Sequence, residues 1–411
     1  MDAGEEVRQL TKELSIKMPT TLPSGIWYRV SQRTKNKYPN GWFGSSKQQV
    51  MKLVYDTRER VLGAGDVFRT VEHAIYKNTK DTGQPFLICN LAIPHKTDHT
   101  KMDRLMGFAH PALLGLLNGN VNLFVDTTFS CTPRPFYQTL IVMTFDQQTQ
   151  YYVPVMWFLM MSKCASLYFE AFHHVISNTD WHLHPVTITA DFERALVLEL
   201  KNQFKSSKIN GCLFHWKQAC RRKMKDLHIP DDQIKIAMTK NVMDILAVVP
   251  PDELKSKGIP FVHSLILEKI KSAGIKMTNA HKKYWDVFFN EYFRRQWLSA
   301  AMVDVWNLFG QDGDIVALQN RTNNALEQYN QEVGKLVPCP HPTLLHFIEK
   351  IEDESRRIVR ELDLIRRGLV NRPNYSEVNI PVLPPEYDDF QKEEEKEEEK
   401  DKKKKRKRKR K

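Results

Sequence analysis

Paired cysteines and long apolar runs are both missing from this sequence of 411 residues. Its 6 cysteines are scattered without a CxxC spacing, which excludes a disulfide framework and the usual kind of zinc finger. The longest apolar run, Tyr151–Met161, is interrupted by Pro154 and is much shorter than the roughly 20 residues that cross a bilayer. The N-terminus is polar and acidic, unlike a signal peptide. We therefore expect an intracellular protein with reduced thiols and no membrane partner.

Charge is concentrated at the end of the chain. The sequence holds 61 Lys and Arg against 49 Asp and Glu, a net charge of +12. Residues 391–411 contribute 13 basic and 7 acidic side chains, so half of the excess lies there and the remainder is only mildly basic. Such charge blocks repel themselves and predict a disordered tail. Its end, KKKKRKRKRK, is typical of a nuclear import signal and predicts the nucleus, although a solubilising tail is the alternative.

Strands and helices alternate in the middle of the chain. We predict strands over residues 121–129, 136–145, 151–160, 185–190 and 209–214, and helices over 166–177, 192–204 and 215–227. The order β-β-β-α-β-α-β-α predicts an α/β protein with an RNase H-like fold, a mixed sheet with helices on both faces.

The remaining segments divide the chain further. Residues 1–100 have no assigned fold, 101–229 form the first part of the core, 230–318 an all-helical insertion, 319–370 the last core helices, and 371–411 a linker and charged tail. An amphipathic helix bent at Pro111 is expected over residues 102–117. In the insertion, we expect the tryptophans to form a helical core rather than to stack on an unpaired base: Trp285, Trp297 and Trp306.

Two aspartates lie where a polar group needs an explanation. Asp126 stands in an otherwise apolar strand, where a carboxylate requires a partner, a proton or a cation. Asp191 directly follows the strand TITA and precedes a helix, and in an RNase H-like sheet these strands are neighbours, so the carboxylates should converge. Oxygen ligands suit Mg²⁺. Glu327, one turn into a predicted helix, is the best third carboxylate. Each carboxylate also has a purely structural alternative. Asp126 would be a core carboxylate with a hydrogen-bond partner, Asp191 the N-cap of the next helix, and Glu327 a solvated helix residue.

Cys212 and His215 form a CxxH at the end of the last predicted strand. Zinc needs about four ligands, and no second pair has suitable spacing, which disfavours zinc. We expect Cys212 to be buried and His215 to open a helix near the carboxylates, within reach of a phosphate. That helix carries a basic stripe, for which a solvated face and contact with the DNA backbone are both open: Lys217, Arg221, Arg222 and Lys225.

Taken together, five segments resemble the MULE (Mutator-like element) transposase family: VNLFVDTTF, the stretch from YYVPVMWFLM to YFEAF, TITADFERA, INGCLFHWKQACRRKMKDL and RTNNALEQYNQEVGKL. The order and spacing agree from about residue 105 to residue 351. The resemblance implies an RNase H-like DDE domain interrupted by a helical insertion. It makes Asp126, Asp191 and Glu327 the metal-binding triad of DNA strand cleavage and transfer with Mg²⁺ or Mn²⁺. Implied partners are the DNA of transposon ends and targets, and a second copy of the chain.

The sequence departs from the family pattern twice. Thr127 replaces the glycine of the usual DGTF, and Asn330 stands where a histidine is often found. Neither change removes a triad carboxylate. Two functions therefore stay open, an active transposase and a domesticated or inactive transposase-derived protein that binds DNA or chromatin. An RNase H-like nuclease acting on RNA is a weaker alternative.

Overall fold

The computed structural model describes residues 3–38, 45–62, 66–95, 98, 100–310, 324–337, 341–374 and 381–390. The chain divides into two compact units. Unit 1 comprises Met1–Pro185, Asn202–Phe204 and Leu326–Pro373. Unit 2 comprises Val186–Lys201, Lys205–Ala325 and Asn374–Lys411.

Unit 1 begins with three helices that pack on one another: α1 (Ala3–Lys17), α2 (Pro23–Lys37) and α3 (Lys47–Leu62). They enclose a small apolar core that includes Val7, Ile26, Val30, Val50 and Val54. The guanidinium of Arg58 on α3 donates to three carbonyl oxygens at and just beyond the end of α1: Ser15, Met18 and Thr21. A cation there satisfies carbonyls that a helix end leaves without partners. Two short helices follow, α4 (Val67–Thr70) and α5 (Ala74–Lys77).

Seven strands within the described residues form one mixed sheet. They are β1 (Leu87–Pro94), β2 (Met102–Ala109), β3 (Gly119–Thr128), β4 (Gln138–Asp146), β5 (Tyr151–Met160), β6 (Leu183–Ala190) and β7 (Lys208–Gly211). Their order across the sheet is β1-β2-β5-β4-β3-β6-β7. The neighbouring pairs β1–β2, β2–β5, β5–β4 and β4–β3 are antiparallel, whereas β6 pairs with β7 in parallel. The mixed sheet flanked by helices that the sequence predicts is confirmed.

Helices alternate with the later strands as the sequence predicts. They are α6 (Pro111–Leu114), α7 (Ala165–Ser177), α8 (Arg194–Gln203) and α9 (Leu213–Asp226). The order from β3 to α9 is β-β-β-α-β-α-β-α. Nearly every residue of β4 and β5 is buried, as expected for central strands covered on both faces.

The prediction of one bent helix over residues 102–117 is wrong. Residues 102–109 form β2, and only α6 and the short turn Gly115–Leu117 are helical. Because β2 lies between β1 and β5, the stretch from Leu105 to Ala109 is buried on both faces and lacks the alternation that marks a strand. Gly107 allows this packing, since a Cβ there would lie 2.7 Å from the Phe158 ring and 2.8 Å from the Cys89 sulfur.

After α9, unit 2 continues with further helices, in the region where the sequence predicts a helical insertion. They are α10 (Asp231–Ala237), α11 (Ile259–Ser272), α12 (Asn279–Val287), α13 (Arg294–Trp297) and α14 (Ala300–Trp306). Trp285, Trp297 and Trp306 are each at most 2% exposed, so the core interpretation of these tryptophans is confirmed. Residues 381–390 pack on the same core: the Tyr387 hydroxyl donates to Glu253 Oε2 at 2.7 Å.

Two helices close unit 1, α15 (Asn324–Leu336) and α16 (Leu344–Arg366). Both lie where the sequence predicts helices. The charged face of α16 is laced with ion pairs such as Arg357–Glu354, while Phe347, Ile351 and Ile358 are buried. None of the described helices is long and apolar enough to cross a membrane. The predicted disordered tail, residues 391–411, lies outside the described residues.

Candidate metal centre

Asp126 is held near the end of β3. The residue is 3% exposed, and its Oδ1 accepts a hydrogen bond from the Thr127 amide at 2.8 Å. In the sheet register Asp126 lies opposite Ile141 of β4, which lies opposite Trp157 of β5. Directly opposed residues on antiparallel strands share a face, so Asp126 and Trp157 point to the same side of the sheet.

The helix that carries Glu327 packs on this side. The Trp157 indole Nε1 donates a hydrogen bond to the hydroxyl of Tyr329 at 3.1 Å, and both residues are buried. Tyr329 belongs to α15, which therefore covers the face to which Asp126 points. Glu327 lies two positions earlier on α15, but its side chain is outside the described part of the chain. Its role as a third carboxylate stays a prediction.

In unit 2, Asp191 follows β6 directly and His215 lies in the first turn of α9. Asp191 Oδ1 accepts from the Phe192 amide at 2.6 Å. The Cys212 amide donates to the Ala190 carbonyl at 2.9 Å, which fixes the start of α9 beside the end of β6. As a result, His215 Nδ1 lies 3.8 Å from Asp191 Oδ1. That separation is too long for a hydrogen bond.

Gly211 makes this arrangement possible. It ends β7 opposite Ala190, and a Cβ at this position would lie 2.2 Å from two atoms of the Phe192 ring and 3.0 Å from Val305. Any larger residue would push the Phe192 ring away from β7. Because Phe192 is the neighbour of Asp191, the small residue at 211 bears directly on the position of that carboxylate.

Two side chains of unit 2 are brought together as possible metal ligands. Asp191 and His215 each offer one ligand atom, an Oδ1 and an Nδ1 that lie 3.8 Å apart, and the buried carboxylate of Asp126 in unit 1 is the third candidate ligand. Within the described part of the chain, His215 Nδ1 is buried without a hydrogen-bond partner. Carboxylate oxygens suit Mg²⁺ and Mn²⁺, whereas an imidazole adds preference for transition metals. The donor set therefore fits a divalent cation.

The sequence assigns His215 to phosphate contact, whereas the structure places its imidazole beside a carboxylate. The signal for a ligand was the CxxH spacing itself, which sets His215 one turn into a helix that begins at a strand end. Cys212 is fully buried at the N-cap of α9, as expected for a packing residue.

The basic stripe on α9 is divided between structural and exposed residues. Lys217 Nζ lies 3.0 Å from Asp244 Oδ2, and Asp244 is buried, so this lysine neutralises a carboxylate of the insertion. Arg221, Arg222 and Lys225 are exposed, and Lys225 makes one long contact of 3.9 Å with Asp231. Contact of these residues with DNA stays a prediction.

Comparison with known proteins gives a weak structural likeness. No family model matches the chain, and no curated protein matches it. Among solved structures, the chain is similar to one described as "Drosophila P element transposase strand transfer complex", with a TM-score of 0.31 and 9% sequence identity. The match covers 89% of this chain and 93% of that chain. A likeness at this level says nothing about the chemistry of this protein, which follows only from its own residues.

Proposed function

We propose that the protein is a MULE-type DDE transposase, which cuts and joins DNA strands with Mg²⁺ or Mn²⁺. The observation that carries this proposal is the approach of His215 Nδ1 to Asp191 Oδ1 at 3.8 Å directly after β6. An RNase H-like order of strands and helices supports it, because the second carboxylate expected from that order, Asp126, is buried near the end of β3. Zn²⁺ fits the proposed ligands less well than Mg²⁺ or Mn²⁺ does, because two of the three are carboxylates.

Each residue has a role in the proposed reaction. Asp126 and Asp191 would hold the cations, and Glu327 on α15 would complete the site. Divalent ions held there would activate a water or a DNA 3′-hydroxyl as the nucleophile and would stabilise the leaving oxygen. Buried surroundings strengthen the attraction between the carboxylates and the ions. His215 would offer one further ligand to such an ion, the lone pair of its unprotonated ring nitrogen.

DNA would be held by charge outside this group. Arg221, Arg222 and Lys225 on α9 are exposed and belong to the same helix as His215. Contacts between such cations and phosphate oxygens position DNA without reading its sequence. The partners proposed are transposon ends and target DNA, with a second copy of the chain to pair two ends. The basic end of the chain supports a location in the nucleus.

A nicking and joining assay tests the proposal. The full chain is incubated with Mn²⁺ and plasmid DNA that carries the terminal repeats flanking its own gene. Asp126→Asn, Asp191→Asn and Glu327→Gln should each lower the rate by a factor of about 100 or more, because each removes a ligand charge without changing volume. Asp56→Asn on the exposed face of α3 is the matched control and should react as the wild type does. If the wild type neither nicks nor joins, and Asp126→Asn behaves identically, the proposal is wrong.

A second candidate is a transposase-derived protein that binds DNA or chromatin without catalysis. The departures at Thr127 and Asn330 favour it. However, side chains alternate along β3, so the Thr127 side chain lies on the opposite face of the sheet from Asp126, which Thr127 contacts through its backbone amide. This candidate predicts that the protein binds the same DNA without added metal. It also predicts that neither the wild type nor any variant nicks that DNA.

A further inference from the structure

Two large aromatic side chains remain exposed at the end of the sheet in unit 1. Phe129 is 40% exposed and Tyr137 is 54% exposed, and their rings meet edge to face with centroids 5.5 Å apart. Lys163 Nζ lies 4.8 Å from the Phe129 centroid and 5.8 Å from the Tyr137 centroid. We call Phe129, Tyr137 and Lys163 the aromatic platform.

The platform stands at three neighbouring strand ends. Phe129 directly follows β3, Tyr137 directly precedes β4, and Lys163 follows β5 by three residues. Because these strands are antiparallel neighbours in the sheet, the three positions lie at the same end of it. Asp126 is near this end of β3, three residues before Phe129. Phe129 follows Asp126 by about 10 Å of extended chain, and Tyr137 lies four residues before Ile141, the residue opposite Asp126 in the sheet register.

Buried hydrogen bonds fix the loop that carries the two rings. Thr132 is fully buried; its hydroxyl donates to the Thr128 carbonyl at 2.9 Å and shares a hydrogen bond with the Thr139 hydroxyl at 2.9 Å. The Tyr137 amide donates to the Met160 carbonyl at 2.9 Å. A fixed loop loses little conformational freedom when a ligand binds, which favours affinity.

The composition of the platform indicates the ligand. The same loop buries the ring of Phe136 in the core, whereas the rings of Phe129 and Tyr137 stay exposed. Exposed aromatic faces stack on nucleic-acid bases, and a lysine beside them attracts a phosphate. The tryptophans of the insertion are buried and do not offer such a surface.

We propose that the aromatic platform binds an unpaired base of a DNA strand whose phosphate lies at the Asp126 carboxylate. This inference rests on the proposed function, because it takes DNA as the substrate. The stacked base would set how far the strand end extends past the reacting phosphate. Base stacking tolerates any sequence, so the platform would recognise an unpaired end rather than a particular base.

A fluorescence binding assay tests the inference without catalysis. The probe is a DNA duplex with a short single-stranded overhang that contains 2-aminopurine, whose emission falls on stacking, and the full chain is titrated with it in Ca²⁺. Wild type should quench the probe. Phe129→Ala and Tyr137→Ala should remove most of the quenching and weaken binding by roughly 5- to 150-fold, the effect of losing one base stack.

Three further variants make the assay specific. Tyr137→Phe keeps the ring and should quench as the wild type does. Tyr28→Ala removes a ring that is 61% exposed on α2, a helix outside the sheet, and should also leave quenching unchanged. Lys163→Gln should weaken binding and lower the salt dependence by about one phosphate contact.

The result separates this inference from the proposed function. If the ring-removing variants quench the overhang as the wild type does, or lose affinity equally for a blunt duplex, the platform does not bind an unpaired base. Nicking that depends on Asp126 would stand in either case. Conversely, ring-dependent quenching by a protein that never nicks would support the platform and overturn the catalytic proposal.

Discussion

The indole Nε1 of Trp157 donates a hydrogen bond to the hydroxyl of Tyr329 at 3.1 Å, across 172 residues of sequence. This bond joins the middle of the sheet to α15, the helix that carries Glu327. Burial raises the pKa of the Tyr329 hydroxyl well above its usual value, so the group stays protonated at any physiological pH. Trp157 and Asp126 both lie opposite Ile141 in the sheet register and point to the same face. This hydrogen bond therefore holds α15 on the face to which the carboxylate points.

We predict that Tyr329→Phe lowers the free energy of unfolding by about 1 to 3 kcal/mol, because the buried indole N–H loses its acceptor. Chemical denaturation followed by tryptophan fluorescence measures the change. Tyr55→Phe, at an exposed position on α3, is the matched control and should differ from the wild type by less than about 0.5 kcal/mol. Equal stability of the two variants would show that the Trp157 N–H has found another acceptor.

The second prediction concerns the close approach of β7 to Phe192. Gly211→Ala should destabilise the protein by about 1 to 3 kcal/mol, since the added methyl group would lie 2.2 Å from the Phe192 ring. Adding Phe192→Leu should recover part of that loss, which a double-mutant cycle detects. Gly115→Ala meets no atom within 4 Å and serves as the control. Additive effects of the first two substitutions would contradict the clash.

How far the sequence predicts the fold depends on how each strand is buried. The interval Tyr151–Met160 is predicted to the residue, because its apolar run is bounded by polar turns on both sides. β2 is missed, since burial on both faces removes the alternation and its Met, Leu, Phe and Ala residues also suit a helix. The order of strands and helices can thus be predicted where apolar runs are clearly bounded by turns. A strand that is buried on both faces, such as β2, cannot be told from a helix by its pattern.

The candidate site divides in the same way. The expected convergence of Asp126 and Asp191 rests on strand order, which a sequence can indicate. The place of His215 depends instead on where α9 begins: the structure starts the helix at Leu213, two residues before the predicted start. Helix boundaries depend on local contacts such as the hydrogen bond from the Cys212 amide to Ala190, and a periodic pattern does not encode them.

A third prediction concerns acid stability of the helical insertion. Burial lowers the pKa of His263, and its Nε2 has no hydrogen-bond partner within the described residues. The unfolded chain therefore binds a proton that the folded chain does not, starting near the ordinary value of about 6.5. The stability contribution of neutral His263 is complete above that pH and is lost as the pH falls through the lower folded value.

Denaturation measured from pH 8 to pH 5 tests this. His263→Phe should lose less stability on acidification than the wild type does, because the ring no longer titrates. His174, whose pKa burial also lowers, is present in both proteins, so the difference between their pH profiles isolates His263. Parallel profiles would mean that His263 protonates as readily in the folded protein as in the unfolded chain.

The last prediction is that His215 makes the proposed centre prefer Mn²⁺ over Mg²⁺. An imidazole is a better ligand for transition metals than for Mg²⁺, which favours oxygen. We expect His215→Gln to weaken Mn²⁺ binding by about tenfold or more and Mg²⁺ binding by less, measured by calorimetry on the full chain. His184→Gln, an exposed histidine on β6, is the control. Equal losses for both ions would show that His215 acts on Asp191 alone, and unchanged binding would remove His215 from the centre.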